Sequence, residues 1–220
     1  MAFGKKTEEV ATIRPANLVQ TVIRIRGTAP YVQNKFSEKV REELEKKFAS
    51  SEAENKSSRK RAPKDFDKQF EEAQHISTGG WNGIPCPAFR AAMIDACRTV
   101  GIQMTRAKMS VFVLPDGFDK DDGTPLVKIL GKKPEQIRSS TINADGSPNI
   151  CARPMWREWE AEVTLEFDAD MITAESVVNL LDRAGRQVGV GCGRPFSKNS
   201  CGQGWGTFAV VTKAEKKKVK

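Results

Sequence analysis

The sequence has 220 residues, of which 39% are apolar and 29% charged, and this suits one domain with insertions or two small domains. No apolar run approaches the ~18 residues of a membrane span, and the N-terminus lacks the apolar stretch of a signal peptide. These features argue against a membrane or secreted protein and favour a cytoplasmic one. The formal net charge of +8 raises the expectation of a polyanionic partner.

The first quarter of the chain predicts one strand followed by an insertion. Residues 17–26 are rich in β-branched side chains, which is typical of a strand. Apolar residues recur every four positions over 35–49 and predict a helix, whereas the polar segment 50–64 has no period and predicts a mobile loop. With a short helix over 65–74, residues 35–80 are expected to form a helical and partly disordered insertion.

The next part of the chain predicts a helix, a strand and a second insertion. Apolar residues from 89 to 100 follow helical spacing, and Gly101 can supply a left-handed C-terminal stop. Residues 108–114 predict a strand. Residues 116–156 contain two turn-like clusters, DGFDKDDG and NADGSP, and are expected to form a hairpin-like insertion that projects from the body.

The last third has the strongest strand pattern in the sequence. Over 157–168, apolar and mostly acidic residues alternate, which predicts a strand with one buried face. Thr173 is a plausible N-cap for the helix that follows, and Gly185 is expected to end that helix. Residues 207–212 predict the final strand. A basic tail occupies residues 213–220 and carries half of the net positive charge.

Without the two insertions, the predicted order is strand, helix, strand, strand, helix, strand. This βαββαβ order predicts an α+β, ferredoxin-like fold in which two helices cover one face of a four-stranded antiparallel sheet. The whole chain is then a single domain. A general α+β sandwich and two separate small domains remain as alternatives.

The sequence offers few groups for catalysis. The one histidine, His75, lies beside the predicted mobile insertion and is expected to be exposed to solvent rather than to act as a general base. The acidic loop DGFDKDDG lacks the later bidentate glutamate of an EF-hand. The five cysteines include no CxxC pair and are expected to be free thiols in a reducing compartment. We therefore predict no metal, no cofactor and no enzymatic activity.

The glycine-rich segment 185–208 is the most unusual feature. Its glycines alternate in two runs, basic and aromatic residues are interleaved with them, and no acidic residue occurs between 183 and 214. Flexible backbone donors, cations and aromatic faces together suit a phosphate backbone with partly unstacked bases. The alternative is a tight hairpin with Trp205 in the core. The candidate nucleic-acid-binding residues here are Arg186, Gly191, Gly193, Arg194, Phe196, Lys198, Gly204 and Trp205.

Two basic clusters outside this segment can cooperate with it. Arg59, Lys60 and Arg61 lie in the first insertion, and Arg153 and Arg157 lie near the end of the second. The glutamates of segment 157–168 would repel phosphates from the open sheet face. Nucleic acid is therefore expected to follow loops and insertions, and the acidic face can instead meet a neighbouring subunit.

The order of elements and the glycine-rich loop GVGCGRP through GQGWGTF resemble the RAMP superfamily, which includes the backbone subunits of CRISPR ribonucleoprotein complexes. The stretches GWNGIPCPAFRAAMIDACR and ARPMWREWEAEV are also similar to uncharacterised phage and prophage proteins. The resemblance implies a ferredoxin-like core, finger-like and thumb-like insertions, and subunits that stack into a filament along RNA. It also implies that Gly191, Gly193, Arg194 and Gly204 lie next to nucleic acid.

The predicted function is therefore non-enzymatic binding of single-stranded RNA or DNA by a phage-type protein that assembles as a homo-oligomer along the strand. Its expected location is the cytoplasm, that of the host cell if a phage encodes it. The alternative is a protein-interaction or virion-associated module without nucleic-acid binding. A third and weaker idea is an RNA-processing enzyme that depends on His75.

Overall fold

The computed structural model describes residues 14–35, 65–142, 148–197 and 202–211. Within these ranges the protein is a mixed α/β structure with antiparallel sheets and four α-helices. The helix expected over 35–49, the polar segment 50–64 and the basic tail 213–220 lie outside the described residues, apart from Lys35.

The elements are numbered here in chain order. The strands are β1 (Leu18–Gly27), β2 (Tyr31–Val32), β3 (Gly83–Pro85), β4 (Val111–Leu114), β5 (Gly117–Phe118), β6 (Pro125–Lys128), β7 (Glu135–Ile142), β8 (Pro148–Trp156), β9 (Glu160–Asp168) and β10 (Phe208–Val210). The helices are α1 (Phe66–Glu72), α2 (Cys86–Val100), α3 (Met104–Ser110) and α4 (Ala174–Arg183), and a π-helical turn, Ala184–Val188, follows α4.

The central sheet has four strands in the order β10-β1-β9-β4, and every neighbouring pair is antiparallel. The longest pairing joins β1 to β9, from Leu18 opposite Asp168 to Arg26 opposite Glu160. Ala161, Val163, Leu165 and Phe167 of β9 are all buried, which confirms the predicted apolar face. Burial of these alternating side chains against the helices is the main force that fixes this register.

Helices α2 and α4 supply the other half of the core. The expected apolar stripe of α2 is buried from Phe89 to Ala96 and partly buried at Val100, and Gly101 has the left-handed conformation (φ 70°) that ends this helix. The Thr173 side chain accepts a hydrogen bond from the backbone N–H of Ser176, so its predicted role as N-cap is confirmed. Trp159 is among the largest buried side chains, and its indole N–H donates to the Ala29 carbonyl at 2.9 Å.

Two predicted boundaries are wrong. Residues 108–110 belong to α3 rather than to a strand, because the buried Ala107 holds this short helix in the core and Ser110 Oγ donates to the Arg106 carbonyl. The chain after α4 does not stop at Gly185. It continues as the π-helical turn because Gly185 packs directly against Phe208, and the turn ends at Gly189, whose φ is positive (74°).

The predicted second insertion divides between two three-stranded sheets. Strands β5 and β6 join β3 in the order β3-β6-β5, while the antiparallel pair β7 and β8 joins β2 in the order β2-β8-β7. Helix α1 packs on the β7–β8 hairpin, where Gln136 Nε2 donates to the Phe66 carbonyl and the Arg138 guanidinium lies 4.7 Å from the Phe66 ring centroid. No helix in the described ranges is long and apolar enough to cross a membrane.

Candidate nucleic-acid interface

A cleft of about 300 Å³ opens between the end of β2, the start of α2 and the glycine-rich loop. We call it the loop cleft. Its walls come from parts of the chain far apart in sequence, which the sheets bring together. They include Asn34, His75, Pro85, Ala88, Cys192 and Arg194.

Close packing gives the glycine-rich loop its shape. Gly191 has φ 79°, and a Cβ there would lie 2.4 Å from the Tyr31 ring. Backbone hydrogen bonds join Cys192 N–H to the Val32 carbonyl at 2.8 Å and Trp205 N–H to the Gly193 carbonyl at 3.1 Å. The Trp205 ring also lies over Gly193 and is partly buried. The loop is therefore a fixed wall of the cleft, and Trp205 contributes to that wall from behind Gly193.

Two predicted arginines meet at this loop. Arg153, from β8, donates through Nη1 to Cys192 Sγ at 3.0 Å, and Arg194 donates through Nη1 to the Gly191 carbonyl at 3.3 Å. Neither guanidinium has a carboxylate partner in the described parts of the chain, and Arg153 Nε is buried without a hydrogen-bond partner there. Two cations thus contact consecutive loop residues and retain unused hydrogen-bond donors.

The other predicted site residues lie in different surroundings. Arg157 is paired with Glu135 at 2.8 Å and Arg186 with Asp182 at 2.6 Å, both at exposed positions. Phe196 is 40% exposed, and Gly204 has open space where a side chain would point. The remaining four predicted residues lie outside the described part of the chain: Arg59, Lys60, Arg61 and Lys198.

The prediction that His75 is exposed is wrong. Its side chain is only 12% exposed, and Nδ1 lies 2.8 Å from Asp119 Oδ2. The backbone N–H of His75 donates to the buried Gln33 side chain at 2.8 Å. No sequence pattern predicts the pairing of His75 with Asp119, because the two residues are 44 positions apart and meet only in the folded chain.

Asp119 is the centre of a buried charge cluster. Its other oxygen accepts a hydrogen bond from Lys35 Nζ at 2.7 Å, and its side chain has no exposed area. Burial alone would raise the pKa of Asp119, but hydrogen bonds from Lys35, from the Asp121 N–H and from His75 outweigh it and hold the pKa below its ordinary value. The same ion pairs overcome burial at Lys35 and raise the pKa of the ammonium.

This cluster also contains potential metal ligands. One ligand atom each from His75, Asp119 and Asp122 lie within 4.8 Å of one another. The Lys35 ammonium forms an ion pair with the carboxylate of Asp119 at 2.7 Å and another with Asp121 at 2.8 Å. The arrangement is therefore that of an internal ion-pair network whose cation is a lysine.

The open face of the central sheet is less acidic than its sequence suggests. Glu160 accepts hydrogen bonds from Arg24 and Arg26 on the neighbouring β1, and these bonds outweigh burial and lower its pKa. Val22 and Phe112 expose apolar surface on the same face. Cross-strand arginines, which become neighbours of Glu160 only through the β1–β9 register, neutralise part of this face.

No family model matches this sequence, and no match was found among curated proteins. We therefore infer function from the geometry of the loop cleft and of the glycine-rich loop.

Proposed function

We propose that this protein binds single-stranded nucleic acid along the glycine-rich loop and performs no chemistry on it. The observation that carries the proposal is the meeting of Arg153 and Arg194 on consecutive loop residues, with no carboxylate partner among the residues described. A partly buried guanidinium whose donors are unused favours an anionic ligand. Phosphate oxygens supply both the charge and the acceptors.

The contrast with Arg157 and Arg186 supports this location. Those two side chains are already neutralised by Glu135 and Asp182, so a phosphate would have to displace a carboxylate. Because exposed ion pairs are weak, such contacts can still form but add little affinity. Arg153 and Arg194 have no such competitor in the described structure, and we expect them to account for most of the phosphate binding.

We infer that the core is ferredoxin-like and related to the RAMP superfamily. The inference is supported by the sheet order β10-β1-β9-β4, in which the last strand lies beside the first and the third separates the first from the second. Helices α2 and α4 lie between the expected strands, and the glycine-rich loop follows the second of them. In this interpretation the β7–β8 hairpin is a thumb-like insertion, and subunits assemble side by side along the strand in the cytoplasm.

Binding is tested by the fluorescence anisotropy of a labelled single-stranded RNA and its DNA equivalent, titrated at several salt concentrations. The logarithm of the association constant should fall linearly with the logarithm of the salt concentration. For a single strand, each phosphate contact should add about 0.7 to the steepness of this slope. Arg153→Ala and Arg194→Ala should each weaken binding about tenfold or more, because each removes charge-assisted hydrogen bonds.

Arg98→Ala is the matched control. It removes the same charge from the opposite end of α2, where the exposed Arg98 side chain pairs only loosely with Asp95. We expect its affinity to stay within about twofold of the unaltered protein. Lack of binding at low salt, or an equal loss in Arg98→Ala, would reject the proposal.

A further inference from the structure

One wall of the loop cleft carries polar side chains that are not strong cations, unlike Arg153 and Arg194. Asn34 is exposed on this wall, and its amide makes no hydrogen bond within the described structure. His75 also lines the cleft, with Nδ1 committed to Asp119. Both side chains are uncharged or weakly basic groups that the proposed phosphate contacts do not use.

The surroundings of Asp119 determine which nitrogen of His75 is free. Asp119 accepts hydrogen bonds from Lys35 and from the Asp121 N–H, so it is an ionised acceptor. Its Oδ2 therefore accepts from the Nδ1–H of His75, which leaves Nε2 as the ring nitrogen available to a ligand, and in the neutral tautomer that nitrogen is a hydrogen-bond acceptor. The buried contact thus fixes the tautomer and holds the ring against the cleft.

The floor of the cleft is apolar and small. Pro85 and Ala88 at the start of α2 line it together with the edge of Tyr31, whose hydroxyl is already bonded to Gln33. The cleft volume of about 300 Å³ is at the lower end of the range for small-molecule sites, which combine apolar lining with a few polar groups. This volume is sufficient for one planar ring system.

We propose that the loop cleft is a pocket for one unstacked nucleobase of the bound strand. This inference rests on the proposed function, since Arg153 and Arg194 would hold the backbone that delivers the base. Asn34 and Nε2 of His75 would bind the polar edge of the base, while Pro85 and Ala88 contact its face.

The chemistry of this wall favours a base over a second phosphate. A phosphate diester offers only acceptors and negative charge, so it has no donor for the Asn34 carbonyl oxygen or for Nε2 of a neutral His75. A base edge offers a donor beside an acceptor, which matches the acceptor of His75 and the mixed amide of Asn34. The wall therefore complements the part of a nucleotide that the arginines cannot recognise.

The test compares two labelled strands of about 12 nucleotides, oligodeoxythymidine and a strand of abasic sites with the same phosphate charge. The unaltered protein should bind the strand with bases about tenfold more tightly. Asn34→Ala should reduce that preference and leave the salt dependence unchanged. His75→Asn should do the same, and its amide N–H can still donate to Asp119.

Asn179→Ala is the matched control, because Asn179 is exposed on α4 and does not line the cleft. It should keep the full preference for bases. Equal affinity for both strands would overturn the base pocket and leave the proposed function standing. A preference that survives in Asn34→Ala and His75→Asn would also overturn it, and so would strand cleavage that is lost in His75→Asn. Lack of binding to either strand would reject the proposed function itself.

Discussion

Two glycines of the loop, Gly204 and Gly206, have similar φ angles but different surroundings. Gly204 and Gly206 have φ of 77° and 69°, a region in which other residues are strained. A Cβ on Gly204 would meet open space, whereas one on Gly206 would lie 1.8 Å from the Val190 carbonyl oxygen. The first glycine is needed for its conformation alone, and the second for conformation and close packing.

We therefore predict different costs for the same substitution. Gly204→Ala should lower the free energy of unfolding by about 1–2 kcal/mol, the cost of the left-handed conformation. Gly206→Ala should lower it by more than about 4 kcal/mol, because the backbone of Val190 must also move. Denaturant unfolding of both variants measures the difference. Equal losses would show that the loop does not pack as described.

Asp119 gives a prediction about pH. Because its pKa is lowered in the folded protein, the stability it contributes is present above the unfolded pKa near 3.9 and is lost as pH falls through the folded pKa. Asp119→Asn should destabilise the protein by about 3 kcal/mol at pH 7, since it leaves Lys35 without its buried partner. Chemical denaturation from pH 7 down to pH 3 should show this difference shrinking below about pH 4. A constant difference would contradict the ion-pair network.

Among the elements, β9 connects the two sides of the central sheet. It pairs with β1 along its whole length and with β4 at its C-terminal half. One face carries the buried core residues, and the other carries Glu160 with its two arginine partners. The strand therefore determines stability through one face and surface charge through the other.

Substitutions on the two faces of β9 should separate these contributions. Leu165→Ala should cost about 2–5 kcal/mol, because Leu165 has no exposed area and leaves a cavity behind. Glu162→Ala, on the exposed face, should change stability by no more than about 0.5 kcal/mol. Thermal and urea unfolding monitored by circular dichroism provide the comparison. A large effect of Glu162→Ala would mean that the open face is covered in solution.

For the molecule as a whole, the net charge of +8 and the two arginines at the glycine-rich loop predict assembly on nucleic acid. Multi-angle light scattering should show a mass that increases with the length of an added single strand, as successive copies bind along it. A fixed mass that does not respond to oligonucleotide would favour the alternative, a protein-interaction module. The exposed Leu18, Val22 and Phe112 of the open sheet face would then be the first surface to test.

Sequence patterns predicted most elements of the core. The alternation in β9, the stripe of α2 and the N-cap of α4 depend on residues within a few positions of one another, and the structure confirms them. The glycine-rich loop was recognisable for the same reason. The boundary at α3 was missed because the buried contact of Ala107, and not the local pattern, decides between helix and strand there.

The candidate site needed the tertiary structure. His75 is largely buried with Nδ1 against Asp119, and Asp119 tolerates burial because Lys35, 84 residues away, neutralises its charge. The fold also leaves Arg153 and Arg194 without a carboxylate partner in the described structure. In contrast, it pairs Arg157 with Glu135 and Arg186 with Asp182. Sequence alone determined which segments form strands and helices, because those preferences are local. Only the fold decided which charges are neutralised and which face the cleft, because electrostatic partners are chosen by proximity in space.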